Sequence, residues 1–330
     1  MNTRTYPGID IFRVIAAFLV IAIHTSPLAS WSATADLLLT RDLARIAVPF
    51  FFMVTGFFVL PASRHSLLRF LKRTTFLYLA AIVLYLPINI YMKSFQQITI
   101  SALCQMLFVE GTMYHLWYLP AALTGALISK GLYRAFGLRT ALGIACLLYI
   151  IGLGGDSYYG PTSQWPPTAA AYELIFQFCD YTRNGFFFAP VFMLLGLALA
   201  KHPLRCAPSR LGLGLAVSFL LMTGEVLLCH MLGWSRHDSM TFFLLPTLLF
   251  LFSLLLRPQG KRYPRAAAVS MFIYILHPLM ILVIRFGAKL THTESLFIAN
   301  SLVHFIGVSL LSFVLSYALC ACLDHFRKAR

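Results

Sequence analysis

Apolar residues recur along the whole chain in blocks close to the roughly 20 residues that a helix needs to cross a bilayer core. Ten blocks can be marked, at residues 11–28, 46–60, 74–91, 116–133, 140–153, 186–200, 211–232, 241–256, 266–284 and 296–323. Each predicts a transmembrane helix; the fifth and sixth are short, so their ends are the least defined. The stretch 98–109 is too short and too polar to span and predicts a helix lying in the interface. With ten spans using nearly every residue, the pattern predicts one integral-membrane domain over residues 1–330 and no soluble catalytic domain.

Composition agrees. Hydrophobic residues make up 59% of the chain and charged residues 11%, against about 25% charged in soluble domains; the mean hydropathy is +0.79. A soluble enzyme, a disordered chain and a disulfide-stapled module are excluded. The seven cysteines show no metal-ligand spacing and read as small core residues, so no metal site is expected. A net charge of +15 invites a nucleic-acid reading, but its distribution points elsewhere. With ten spans, eighteen of the 26 Lys and Arg fall at the N-terminus, in the even-numbered loops and at the C-terminus, from Arg4 through Arg69, Lys130, Lys201 and Arg265 to Arg330. Seven lie on or near the other side, and Arg13 lies within the first span. The positive-inside rule then puts both termini in the cytoplasm and leaves no nucleic-acid partner to explain the charge. The fold class is therefore an all-α polytopic bundle of about ten transmembrane helices, with the bilayer as its first partner. Asp10 and Arg13 interrupt the opening apolar run, which argues against a cleaved signal peptide.

Ionisable residues inside spans mark functional candidates, because each is costly in lipid. The first span holds Asp10, Arg13 and His24. Eleven helical steps separate the last two, about three full turns and ~16 Å of rise, so they share one face. Snorkelling of Arg13 and end-capping by His24 is the plainer alternative. In RIAVPFFFMVTGFF, Arg45 opens the second span and Gly56 permits close helix approach, while the Phe run reads as packing. Arg69, Lys72 and Arg73 are either topology alone or a phosphate-binding patch. His115, Trp117 and Tyr118 sit at an outer span entrance, where aromatic belts also occur. Asp180 and Arg183 flank the longest outer loop and either pair or recognise an acceptor. Glu225 is mid-span. His277-Pro278 interrupts the ninth span, where the proline frees a carbonyl for another group.

Taken together, Asp10-x-x-Arg13 with His24, Arg45…Pro49-Phe-Phe-Phe…Gly56, the basic cluster before the third span, His115-Leu-Trp117-Tyr118 and Tyr274-Ile-Leu-His277-Pro278 resemble the acyltransferase-3 family. Its members are ten-span bacterial inner-membrane proteins that move acyl groups from coenzyme A to glycans and related acceptors. The resemblance covers nearly the whole chain. The Arg–His pair of the first span is its most specific element, and the Phe run its weakest. Within the family, segments such as GIDIFRVIAAFLVIAIH and YTRNGFFFAPVFMLLG look like the membrane half of vancomycin-resistance-type serine racemases. No racemase domain follows here, so the expectation is either a membrane-domain fragment or a protein lacking that domain.

The resemblance implies a membrane-bound O-acyltransferase in the bacterial cytoplasmic membrane. It would carry an acyl group, most simply acetyl, from cytoplasmic acyl-CoA to a hydroxyl acceptor at the outer side. No cofactor would be permanently bound; acyl-CoA is the donor substrate. Arg69, Lys72 and Arg73 would meet the coenzyme phosphates, His24 would act as general base, and Arg13, Asp10 and Arg45 would complete the catalytic set. His115, Trp117, Tyr118, Asp180, Arg183, Glu225 and His277 would line the acceptor site. The same resemblance implies an alternative, binding or uptake of L-serine or another small amino acid, with Arg45 for the carboxylate and Asp10 or Glu225 for the amine. The acceptor is thus a hydroxyl-bearing glycan or a small amino acid, and a homodimer is compatible with either.

Overall fold

A computed structural model describes residues 5–96, 98–258 and 260–328, with side chains to residue 326. Arg4 and Arg330, counted above, lie outside the described residues, as do the side chains of Arg327 and Lys328. The described residues are helical, with no strand among them: α1 (Pro7–Thr25), α2 (Ala33–Leu37), α3 (Ala47–Phe58), α4 (Arg64–Tyr91), α5 (Ile100–Gln105), α6 (Tyr118–Gly154), α7 (Tyr159–Gln164), α8 (Pro166–Phe176), α9 (Ala189–Lys201), α10 (Pro208–Met231), α11 (Leu244–Leu255), α12 (Ala266–Leu290) and α13 (Ser301–Lys328). Among the described residues, six are long and apolar enough to cross a membrane: α1, α4, α6, α10, α12 and α13.

Each apolar block marked in the sequence contains helix. The fifth and fourth blocks join in α6, which breaks at Gly137 (φ 73°, ψ 175°), a left-handed position that glycine adopts without strain. The stretch expected to lie in the interface is α5, continued by a π turn over Met106–Glu110.

The chain packs as two compact units, Met1–Val48 with Leu251–Arg330, and Pro49–Phe250. In the first, α1 and α13 pack on α12. Ala17 and Ile21 of α1, Val269, Ile273 and Met280 of α12, and Val308 of α13 are buried together. Pro7 pre-sets the first turn of α1. Asp10 in that turn complements the helix dipole. Ser26, left-handed at φ 46°, closes the helix by donating its N–H to Ala22 O. Between α2 and α3 the backbone winds first as a π turn (Leu38–Asp42) and then as a 3-10 turn (Leu43–Ile46), and both pack on α1.

In the second unit, α6 packs along α9, and α4 packs on α6. Gly56 of α3 and Gly196 of α9 cross backbone to backbone: a Cβ on Gly56 would overlap Met193 O, and one on Gly196 would overlap Met53 O. The absence of side chains at both positions is what lets these helices touch, the usual device where lipid supplies no hydrophobic drive between helices.

Candidate functional site

The polar centre of the first unit is built by α1 and α12. Pro278 has no N–H, so the carbonyl four residues back, Tyr274 O, loses its helical donor. The imidazole of His277 replaces it: its Nδ1–H lies 2.8 Å from Tyr274 O and 3.2 Å from Ile273 O. A carbonyl only accepts, so in the neutral ring the proton is on Nδ1 and the basic lone pair on Nε2. His277 is fully buried, and His24 stacks on it, with ring centroids 5.3 Å apart and planes 20° from parallel. His277, expected among the acceptor-site residues, stands beside His24.

Toward the start of α1, Arg13 Nη1 donates to Asp10 Oδ1 at 3.2 Å, and both side chains are mostly buried. The other carboxylate oxygen, Asp10 Oδ2, accepts the N–H of Tyr263 at 3.2 Å, just before α12. Asp10 thus orients Arg13 and ties α1 to the entry of α12. Because α1 is one uninterrupted helix, Arg13 and His24 share its face. Arg45 is half-buried on the 3-10 turn that packs against α1.

In the second unit, loop residues form a cluster of their own. The guanidinium of Arg183 lies over the Tyr181 ring at 4.4 Å and the Trp117 ring at 5.1 Å. His237 packs on the Tyr181 ring, centroids 4.1 Å apart. Arg236 sits over Phe176 at 3.6 Å. Burial pushes the His237 imidazole down to about 4, and the Arg183 and Arg236 charges add to this. Tyr118 packs on Phe51 and Phe52, and Trp117 on Phe52 and Phe188, so the Phe run is packing. His115 is fully buried, edge-on to Tyr85.

The carboxylates of these loops hold backbone. Glu110 Oε1 accepts the N–H groups of Asp180 (2.8 Å) and Tyr181 (3.3 Å), and burial raises its proton affinity. Asp180 Oδ1 accepts from the Gln105 side-chain amide, while Arg183 turns to the aromatic rings. Asp156, fully buried, takes the N–H groups of Ser239 and Met240. Glu225 does the same for the entry to α11: its oxygens accept Phe242 N–H (2.7 Å), Phe243 N–H (3.0 Å) and Tyr158 O–H (2.8 Å). The structure thus gives Glu225 a clamping task that its mid-span position did not announce. Arg69, Lys72 and Arg73 are exposed on α4, away from the face that buries Leu67, Tyr78 and Tyr85.

Sequence reasoning missed Arg236 and His237. They lie in a short polar loop among ordinary turn residues, and only the pairing of that loop with residues 181–183 sets them apart. Of the described residues, no group of three His, Cys, Asp or Glu is arranged to hold a metal ion.

Apolar helices of spanning length, with a stacked imidazole pair and an intrahelical Arg–Asp pair among them, define a multi-pass membrane protein with polar groups between α1 and α12. The chain belongs to the acyltransferase-3 family, whose model, described as an acyltransferase domain, matches residues 6–321. It is similar to an amino-acid racemase of Enterococcus faecalis, 42% identical over 100% of this chain and 47% of that protein. A second amino-acid racemase of that species is 36% identical over 98% of this chain and 47% of its own length. A serine/alanine racemase of Enterococcus gallinarum is 35% identical over 92% of this chain and 44% of its own. The chain spans about half the length of these curated relatives. No solved structure matches.

Proposed function

We propose that the chain is an acyltransferase of the cytoplasmic membrane, with ten spans and cytoplasmic termini, that moves an acyl group from acyl-CoA to a hydroxyl at the outer side. The observation that carries this reading is the stack of His24 on His277, reached along the α1 face that begins at Arg13. His24 removes the proton of the acceptor hydroxyl as its oxygen attacks the thioester carbonyl. The C–S bond breaks, the coenzyme thiolate leaves, and the proton held on His24 passes to that sulfur, giving an ester and free coenzyme A. His277, its tautomer set by Tyr274 O, holds the His24 ring in place. Arg13, oriented by Asp10, offers a fixed guanidinium to coenzyme phosphate, and Arg45 offers one to the developing oxyanion. Purified protein in nanodiscs, given labelled acetyl-CoA and candidate hydroxyl acceptors, should release free coenzyme A, and His24→Ala should lose the activity. Acetyl-CoA that stays intact with every acceptor would remove this reading.

A second reading is favoured by the names of the relatives, all amino-acid racemases, and by the outer cluster of Arg183, Arg236 and Tyr181. Guanidiniums held over aromatic rings suit a carboxylate, as binding or uptake of L-serine requires. Saturable serine accumulation in proteoliposomes, without coenzyme A release, would favour it.

A further inference from the structure

Two lysines flank one ring in the second unit, with Arg134 near enough for its charge to act on one of them, and among the described residues none of the three pairs with a carboxylate. Lys130 and Tyr133 are half-buried on α6, Arg134 is exposed beside them, and Lys201 is exposed as the last residue of α9. Lys201 Nζ lies 4.9 Å from the centroid of the Tyr133 ring, and Lys130 Nζ lies 6.0 Å from it. The charges acting on Lys130 are those of Arg134 and Lys201, together with Tyr133. Among the described residues neither lysine nor Arg134 pairs with an Asp or Glu.

Part of this charge is answered locally. Lys130 Nζ donates to Leu60 O at 2.5 Å, just beyond the end of α3. Lys201 sits at the C-terminus of α9, where the backbone carries about half a negative charge. The α9 end and the Leu60 carbonyl together offset roughly one of three positive charges, leaving about two uncompensated. Like charges held this close repel, and an anion placed between them relieves that repulsion. Lys130 keeps N–H donors beyond the one given to Leu60, Lys201 has three, and the Arg134 guanidinium has five in a fork matched to phosphate oxygens.

We propose that Lys130 and Lys201, on either side of the Tyr133 ring, together with Arg134, form a phosphate-binding site. The phosphate belongs either to acyl-CoA, in which case the site rests on the acyltransferase reading, or to an anionic lipid headgroup, in which case it does not. The site is separate from Arg69, Lys72 and Arg73, which lie on α4.

The test uses the full chain in nanodiscs and the variant Lys201→Gln/Arg134→Gln, whose two positions are exposed and make no described hydrogen bond. Lys130 is left in place because it caps Leu60. In phosphatidylcholine discs, coenzyme A binding is titrated; loss of a charge-assisted contact should weaken it about tenfold in the variant. In a second arm, replacing phosphatidylcholine by phosphatidylglycerol should raise the Tm of the wild type more than that of the variant. A change confined to the first arm assigns the coenzyme, and one confined to the second assigns the lipid; either supports the site. If the wild type binds no coenzyme A, the acyl-CoA reading fails and the lipid arm alone decides. If variant and wild type match in both arms, the phosphate site is wrong, even where coenzyme A binds both.

Discussion

The imidazoles of His24 and His277 lie face to face at 5.3 Å, although 253 positions separate them in the chain. The contact rests on Pro278, which denies Tyr274 O its helical donor and leaves the His277 Nδ1–H to supply one. With His24 as base, His24→Ala should lower coenzyme A release by about 10²–10⁴-fold. His277→Asn keeps a donor for Tyr274 O but removes the stacked ring. It should lower kcat with little change in KM for acetyl-CoA, and equal activity of the two proteins would exclude His277 from positioning His24.

Asp10 serves two partners at once, the Arg13 guanidinium and the Tyr263 N–H. Asp10→Ala leaves a mostly buried guanidinium without its carboxylate, a loss of about 3 kcal/mol or more. Asp10→Asn retains an acceptor for Tyr263 and should unfold between the wild type and the alanine variant. Thermal unfolding in detergent orders the three; an alanine variant as stable as the wild type refutes the coupling.

Glu225 is expected to matter for stability and not for chemistry. Three donors converge on it, and Glu225→Ala strands the N–H groups of Phe242 and Phe243. Hydrogen bonds to a charged group contribute about 1.5–3 kcal/mol each, so Tm should fall sharply. The fraction that remains folded should turn over at the wild-type rate. A folded variant without activity would instead restore Glu225 to the acceptor site.

The helix crossing of α3 and α9 allows a sharper mutational outcome. Gly56→Ala or Gly196→Ala drives a methyl group into a facing backbone carbonyl, which cannot rotate away. Overpacking of this kind costs about 1–3 kcal/mol, more where backbone is the obstacle. Gly143→Ala, with nothing near its added Cβ, is the control. Gly56→Ala matching Gly143→Ala in detergent unfolding would contradict the close crossing.

The cluster of Arg183, Arg236 and His237 confers a pH dependence on stability. His237 titrates near 4 in the folded protein and near 6.5 when unfolded, so between those values the unfolded chain binds the extra proton. Its contribution is intact above about pH 6.5 and is lost as pH falls toward 4. Glu110, whose carboxyl burial holds protonated to higher pH, acts in the opposite direction. In a Glu110→Gln background, which keeps an acceptor for the Asp180 N–H, the acid-side loss should steepen. Adding His237→Gln should flatten it. Superimposable Tm-against-pH curves would show that His237 does not carry the effect.

Much of this was readable from sequence, and the unread part shares a cause. Arg13 and His24 belong to one helix, so spacing alone aligned them, and Pro278 announced a freed carbonyl. Gly56 announced a close crossing for the same local reason. Properties that depend on a distant partner stayed hidden. The stacking of His277 on His24 became visible only where α12 meets α1. Glu225 looked like a buried functional acid, because its N–H donors at 242 and 243 follow an intervening turn. Arg236 and His237 have no signal of their own; Tyr181 and Phe176, more than fifty positions earlier, give them significance. The π turn that precedes Arg45 left no mark in the hydrophobic pattern, since one extra residue in a turn does not alter which residues are apolar.

The first unit joins α1 to α12 and α13, which lie far apart in the chain, and this sets an order of events during synthesis. At about 5–20 residues per second, α12 follows α1 out of the ribosome by some 10–50 s. Throughout that interval α1 must sit in the bilayer with Asp10 and Arg13 joined to each other but His24 still without its stacked ring. A nascent chain halted before residue 266 would hold that helix in this incomplete state, with an imidazole and an ion pair presented to lipid or to membrane quality control. The two imidazoles can therefore meet only after α12 has been made.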